Sequence, residues 1–466
     1  MLIWILAFLL LLLALFSAGH ALLNKRDPRA ALGWIVVCLI PAIGVGLYWL
    51  LGVNRIRTQA RDLQGRGTDL FWQTSGITPP SEADPAAGNH RPLRRLADSV
   101  TRRPLVAGNR VEVLHNGEEA YPAMLQAIAE ARRSVLLSTY IFDSDATGRR
   151  FAAALKDAAE RGVEVRVLVD ALGERYSFPP ARRLMRRSRV RLVRFLPLLG
   201  RGLHLNLRNH RKLLIVDGFI GFTGGMNIGD RHLAKSGNPR RVIDIHFRFH
   251  GPVVAQMQQA FLEDWHFAAR EMISPDPPPP RLANGALCRG ISIGPNEDFE
   301  KLTWILIGAL ASAGQRVRIM TPYFIPDRTL ISAINAAALR GVVVEIVLPE
   351  KNNLPYLAWA TRSYLWELLQ YGCRIYFQPP PFVHSKLLLV DEHYALIGSA
   401  NLDPRSLRLN FEFNMEIHDP RFAGELGHHF DAVRTRSRQV SLQEMDARPL
   451  PSKIRDGFAK LFSPYL

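Results

Sequence analysis

With 466 residues the chain is long enough for two or three ordinary domains and a large buried core, and wholesale disorder is not its character. Lys and Arg exceed Asp and Glu by 59 to 42, and only nine of those cations are Lys, so the excess is mostly arginine and implies an acidic partner, anionic lipid or nucleic acid, unless it reflects only solubility. Cys38, Cys288 and Cys373 lack metal-ligand spacing and argue against both a disulfide framework and a zinc site.

In chain order, the first elements are apolar. Leu2 to Ala18 is uncharged and continues weakly to Leu23, and Ala30 to Val53 is a second uncharged run. Each is long enough as a helix to cross a hydrocarbon core of about 30 Å. Ser17-Ala18-Gly19 would suit a signal-peptide cleavage site, but the extreme N-terminus carries no Lys or Arg and a second apolar run follows closely. A retained helical hairpin, residues 1–55, is the expectation. Lys25, Arg26 and Arg29 in the loop nearly balance Arg55, Arg57, Arg61 and Arg66 beyond it, so charge barely orients the hairpin. Two spans would leave the remainder on the side of the N-terminus, taken here as the cytoplasm.

Residues 56–92 read as a linker, with Pro79-Pro80, Pro85 and Gly88 among polar residues, and the Pro-rich run 274–285 is another. Between and beyond them lie two halves, 93–273 and 286–466. Ser134 to Phe142 is a strand-like run, a helical pattern follows through Phe151 and Leu155, and Arg161-Gly162-Val163 opens a strand to Val169. The second half repeats the order: Arg316 to Phe324, a helix around Leu330 to Leu339, then Arg340-Gly341-Val342 opening a strand to Leu348. This predicts two α/β units with mixed sheets flanked by helices, related by a pseudo-twofold axis.

Each half also carries one polar pattern at the same offsets: His210, Lys212, Asp217, Gly224 and Asn227, then His384, Lys386, Asp391, Gly398 and Asn401. His and Lys two apart share one face of a strand. Leu213 to Val216 and Leu387 to Val390 are apolar throughout, as in strands buried on both faces, so the polar pair must emerge at one end. Asp217 and Asp391 lie at the other end with opposite parity and read as turn or ion-pair residues. An isolated His is usually packing or surface. Two of them, each with Lys and Asn, supply what transfer of a phosphodiester needs: one imidazole to attack phosphorus, one to protonate the departing oxygen, and cations and amides for the other oxygens. No metal or cofactor is required, because two Lys already neutralise the phosphate. Gly224, Gly225 and Gly398 would let backbone approach the anion. Asp244 and Glu412, on strands downstream of each motif, are the candidate carboxylates for orienting the imidazoles, although a surface charge is as good a reading of Asp244. Tyr140 and Tyr323 occupy matching strand ends.

The His-x-Lys-(x)4-Asp motifs, each followed by Gly-x-x-Asn, resemble the phospholipase D superfamily. At finer grain, Asn209 to Asp217, Phe222 to Asp230, Thr321 to Asp327 and Gly398 to Ser406, with the two apolar runs, are similar to bacterial cardiolipin synthases of the two-span type. The resemblance covers nearly the whole chain. It implies that the motifs meet in one active site where His210, Lys212 and Asp217 join His384, Lys386 and Asp391, with Asn227, Asn401, Ser399 and Gly225 about the phosphate. It further implies phosphatidyl transfer between two phosphatidylglycerol molecules through a phosphohistidine, giving cardiolipin and glycerol, at a bacterial inner membrane. The sequence departs from the pattern in Gly225, where Ser is usual, in Arg231-His232, where an acidic-aromatic pair is usual, and in His250, where an acid is typical.

Two rivals stand beside this expectation. A membrane-anchored phospholipase or nuclease would use the same half-sites with water or a nucleic-acid hydroxyl as acceptor, but no basic tract with interleaved aromatics of the sort that tracks single strands is present, so lipid rather than nucleic acid is the expected partner. A non-catalytic scaffold holding anionic headgroups through arginine would not need two complete motifs. The segment Ile454 to Leu466, with Phe458, Leu461 and Phe462 among cations, suits either an interfacial helix or packing on the body.

Overall fold

The protein is represented by a computed structural model that describes residues 1–24, 28–40, 42–49, 91–196, 207–295 and 300–463. The expected linker 56–92 lies almost wholly outside them. The chain divides into two compact units, Met1–Gly65 and Arg66–Leu466.

In the first unit, Leu2–Asn24 forms one helix, and Trp4–Leu23 is long and apolar enough to cross a membrane. The second apolar run is not one helix, as its composition suggests, but breaks: a helix Pro28–Cys38 ends in a turn, and a short helix Ile43–Leu47 follows after Ala42 at φ 58°. Gly44 explains the tightness of the break. A Cβ there would lie 1.7 Å from the Val37 carbonyl oxygen, so only glycine fits. Polar groups close the bundle, with His20 Nδ1 2.6 Å from the Tyr48 hydroxyl and Trp49 Nε1–H donating to Ser17 Oγ at 2.9 Å.

The second unit is built on one mixed sheet of fifteen strands. Its first half supplies β1 (Val106–His115), β2 (Ser134–Thr139), β3 (Glu164–Asp170), β4 (Arg191–Phe195), β5 (Leu213–Val216), β6 (Ile220–Gly224) and β8 (Ile245–His250), with the short β7 (Val242–Ile243) outside the sheet. The second half supplies β9 (Ala286–Ile293), β10 (Arg316–Met320), β11 (Val343–Pro349), β12 (Arg374–Gln378), β14 (Leu387–Val390), β15 (Tyr394–Gly398), β16 (Glu412–His418) and the edge strand β17 (Arg438–Val440), with β13 (Phe382–Val383) paired to β7. The sheet order from one edge is β4-β3-β2-β5-β6-β8-β1, and it continues β9-β16-β15-β14-β10-β11-β12-β17. Apart from β17, the second series repeats the first in reverse. Pairing senses match too: β2-β3-β4 and β10-β11-β12 are parallel, and the strands between are antiparallel.

The parallel strands need crossover helices, and Ala146–Glu160 and Arg328–Leu339 provide them. Asp145 and Asp327 cap these helices, accepting from the Gly148 and Leu330 amides. Both halves have their own apolar core, one around Phe151, Val167 and Phe222, the other around Ile319, Ile334 and Ile346. One boundary shifts from expectation. The helix Arg91–Thr101 buries Leu93 and Ala97 in the core of the second half, although it precedes the first.

Candidate active site

Backbone register brings the two motifs together. The segment before His210 crosses to the other half: Asn209 bridges Phe411 in parallel, and the His210 amide donates to the Phe411 carbonyl at 2.9 Å. In the second motif β13 pairs with β7, Val383 opposite Ile243, and the His384 amide donates to the Ile243 carbonyl at 2.8 Å. The next residues in these two registers are Glu412 and Asp244. Each imidazole is thereby set beside a carboxylate of the opposite half.

Side-chain geometry completes the crossing. His210 Nδ1 is 3.0 and 2.9 Å from the two oxygens of Glu412, and His384 Nδ1 is 2.8 Å from Asp244 Oδ2. Both carboxylates are buried, so they act as acceptors for Nδ1–H and fix the tautomer that leaves each Nε2 with its lone pair. Their surroundings differ. Glu412 also accepts from Ser399 Oγ at 2.6 Å and from Asn410 Nδ2 at 3.0 Å. Asp244 accepts from the Ile245 amide at 2.8 Å, and its carboxylate fills the place a side chain at 225 would take: a Cβ on Gly225 would lie 2.5 Å from Asp244 Oδ2. Gly225 is therefore a space for the carboxylate, and Ser399 a clamp on Glu412, where the sequence resemblance implies that both face phosphate.

Lys212 and Lys386 are buried beside the imidazoles, each ammonium donating to the carbonyl of its own motif His, at 2.7 Å for Lys212. Burial pulls Lys212 down to about 7 and Lys386 to about 8, against the opposing pull of Glu412 and Asp244 respectively. Such ammonium groups gain most when an anion arrives. Burial also lowers the His210 pKa below its ordinary value, Glu412 pulling it back and Lys212 pushing it down. His384 lies well below its ordinary value through burial and then Lys386 and Lys212, with Arg231 adding to the effect. Aromatic walls flank the pair: Tyr140 meets His210 edge to face with centroids 5.2 Å apart, and Tyr323 stands 6.4 Å from His384. With both Nδ1 atoms occupied, two Nε2 atoms from opposite halves and two ammonium groups form one anion-accepting centre, which is capable of nucleophilic and acid-base work at a phosphodiester.

The Asn residues stand near the centre with different partners. Asn227 Oδ1 accepts from the Ile141 amide at 3.3 Å, and Asn401 Nδ2 donates to Ser406 Oγ at 3.2 Å. Asp217 and Asp391 do not join the site, although the motif carries them. Each sits in the left-handed region at the far end of its strand and takes three backbone amides, Arg132, Arg133 and Ser134 for Asp217 and Gly314, Gln315 and Arg316 for Asp391. They tie the strand end to the loop before β2 or β10, a structural task.

Sequence reasoning missed the supports of the His210 segment. Asp170 accepts from the Asn209 amide at 2.8 Å, while buried Arg211 reaches Asp264 Oδ1 at 2.8 Å and donates to the Glu412 carbonyl at 3.2 Å. His232, buried, accepts from the Asn227 amide at 3.3 Å and lies 6.4 Å from the His384 ring. Arg211 lies inside the motif and His232 stands out as a departure from the family pattern, whereas Asp170 and Asp264, 40 and 54 residues from His210, carry no sequence signal that ties them to it. Arg231 and Arg405 each follow their motif His by 21 residues, an offset that extends the repeat, and Arg231 pairs with Asp143 at 3.1 Å.

Comparison with known proteins bears on this centre directly. A family model described as cardiolipin synthase, PLD-like domain, matches residues 124–265 and 306–434, one match on each half and each containing one complete motif. The chain belongs to this family. Cardiolipin synthase A of Pseudomonas fluorescens is 33% identical over 98% of this chain and 97% of its own length. A cardiolipin synthase of Oceanobacillus iheyensis is 32% identical over 95% of both chains. Among solved structures, phosphatidylserine synthase of Haemophilus influenzae superposes with a TM-score of 0.63 at 16% identity, covering 80% of this chain and all of that one, which establishes the shared fold.

Proposed function

We propose that the protein is a cardiolipin synthase that moves a phosphatidyl group from one phosphatidylglycerol to another, giving cardiolipin and glycerol. The observation that carries this is the crossed pair of His–carboxylate contacts, in a chain that aligns end to end with cardiolipin synthases. His384 takes up a proton on Nε2 as the anionic diester binds; His210 Nε2 then attacks phosphorus, the P–O bond to glycerol breaks, and His384 gives that proton to the departing oxygen. His384 then takes the proton of a hydroxyl on the second phosphatidylglycerol, whose oxygen attacks the phosphohistidine and releases the P–N bond. Lys212 and Lys386 neutralise the phosphate throughout, and Glu412 and Asp244 balance the charge that develops on their imidazoles. One diester replaces another, so no nucleotide is consumed.

A second assignment exchanges the histidines. His384 is held more firmly in its neutral form, which suits a nucleophile, whereas the three hydrogen-bonding partners of Glu412 suit it to stabilise a protonated His210.

The two halves, 93–273 and 286–466 joined through 274–285, are read as related by a pseudo-twofold axis that passes between β1 and β9, with the helix Arg91–Thr101 lent to the core of the second; the mirrored strand order supports this. The N-terminal unit is read as a hairpin embedded in a bacterial inner membrane with the catalytic unit on the cytoplasmic side. The apolar helix Trp4–Leu23 supports membrane insertion.

The test supplies labelled phosphatidylglycerol, without nucleotide, to membranes holding the protein or its His210→Ala variant. Labelled cardiolipin and glycerol from the native protein alone are expected. Phosphatidic acid without cardiolipin would make water the acceptor and the protein a phospholipase.

A further inference from the structure

The C-terminal helix Leu450–Leu461 has one face with no partner among the described residues. Leu450, Ile454, Phe458, Leu461 and Phe462 are 69, 63, 62, 72 and 48% exposed. At 100° per residue these five side chains fall within an arc of about 120°. Phe458 and Phe462 touch each other, with centroids 5.3 Å apart, and extend one continuous apolar stripe.

The opposite face is anchored. Ala459 is buried beside Ile325, Leu357 and Ala360, and Asp456, 1% exposed, takes Arg448 at 2.6 Å and Arg455 at 2.7 Å. Ser463 Oγ lies 3.0 Å from the Tyr364 hydroxyl. The helix is thus a fixed part of the catalytic unit, with its orientation set, and the exposed stripe is not a frayed end.

Charge selects the occupant. Lys453 and Lys460 border the stripe on one side and Arg455 on the other, with Lys460 4.2 Å from the Tyr364 ring and Arg455 4.8 Å from that of Trp359. Cations flanking an apolar arc on a helix otherwise short of acidic side chains suit an anionic lipid surface, where the stripe enters the acyl boundary and the flanks meet phosphates. Proximity to the site points the same way. Tyr323, its ring centroid 6.4 Å from that of His384, packs on the same apolar cluster that holds Ala459, so the stripe's helix and one wall of the catalytic centre share a cluster.

We infer that the helix Leu450–Leu461 docks the catalytic unit flat on an anionic bilayer through the stripe from Leu450 to Phe462, bringing the site to the headgroups of lipids still in the membrane. This rests on the lipid-transfer reading above.

The experiment uses the full chain with Ile454→Asp, Phe458→Asp and Leu461→Asp combined; all three side chains are exposed, so the fold is retained. Transfer is assayed on phosphatidylglycerol vesicles and on a short-chain, monomerically dissolved phosphatidylglycerol. The expected result is a loss on the order of tenfold or more in efficiency on vesicles, from a higher apparent KM for surface lipid, with short-chain turnover unchanged. In parallel, Phe458→Cys carrying an environment-sensitive dye should shift to the blue on phosphatidylglycerol vesicles and not on phosphatidylcholine vesicles. Equal activity of variant and native protein on vesicles, without a dye shift, would overturn the proposal. So would a dye shift in solution that tracks self-association by sedimentation, since the occupant would then be a second copy. If the native protein turned over neither lipid, the enzymatic reading itself would have failed.

Discussion

His210 Nδ1 lies 2.9 Å from Glu412 Oε2, a carboxylate 202 residues further along the chain and in the other half of the repeat. His384 and Asp244 are joined in the reverse sense at 2.8 Å. Each motif histidine finds its carboxylate in the opposite half, so chemistry requires both. The duplicated motif is therefore two incomplete parts of one centre.

Exchanging partners gives a direct prediction. Glu412→Gln should impair the step performed by His210, and Asp244→Asn the step performed by His384, each lowering kcat by about 10²- to 10⁴-fold because the favoured tautomer is lost. Pre-steady-state release of glycerol, measured by quench-flow, should be slowed in both variants, and the double variant should be little worse than either single one.

Asp217→Asn and Asp391→Asn should behave otherwise. Each carboxylate serves three backbone amides away from the imidazoles, so each substitution should cost about 1–3 kcal/mol of stability while the turnover of each folded molecule is kept. Denaturant unfolding paired with active-site titration separates the two effects.

Gly225→Ser would introduce the residue that Ser399 supplies at the same offset in the second copy, and it should not restore symmetry. The new Cβ would meet Asp244 Oδ2 at 2.5 Å and displace the carboxylate from His384, lowering activity by about 10²-fold or more. Ser399→Ala removes one hydrogen bond from a carboxylate that keeps two other partners, and should cost only about tenfold. Parallel kcat/KM measurements on the two variants test the asymmetry.

Much of the site is legible in the sequence. The offsets from His210 to Asn227 and from His384 to Asn401 select the chemistry, and the apolar runs Leu213 to Val216 and Leu387 to Val390 form strands with those bounds. Local patterning is enough there, because a strand buried on both faces leaves little choice of residue. The crossing is not legible, since it depends on register between segments some 200 residues apart: Asn209 on Phe411, Val383 on Ile243. The break after Cys38 is hidden for a related reason. Hydropathy does not register that Gly44 must pass within contact of the Val37 carbonyl. Ser399 and Gly225 read as phosphate neighbours in the sequence because their carboxylate partners come from strands later in the chain.

Acid sensitivity follows from buried imidazoles. Burial lowers His232 to about 3 and His246 to about 4, below the ordinary 6.5 that each has when unfolded. Below pH 6.5 the unfolded chain binds the extra protons, so these groups withdraw stability as pH falls, until their folded values are reached. Asp264 and Asp403, raised to about 6 by burial, act in the opposite direction between their unfolded value and pH 6. The contribution of His232 is isolated by difference: His232→Gln should gain on the native protein by about 1.4 kcal/mol per pH unit as pH drops from 6.5 towards 3. Chemical denaturation across that range reads the slope.

The most direct measurement is a single turnover on phosphatidylglycerol vesicles, quenched in alkali, where phosphohistidine survives, followed by peptide mass spectrometry. A phosphatidyl adduct on the peptide containing His210 is predicted, greatly reduced in Glu412→Gln although residue 412 belongs to the opposite half. An adduct on His384 would select the exchanged assignment, and cardiolipin formed with no histidine adduct at any time point would contradict the account.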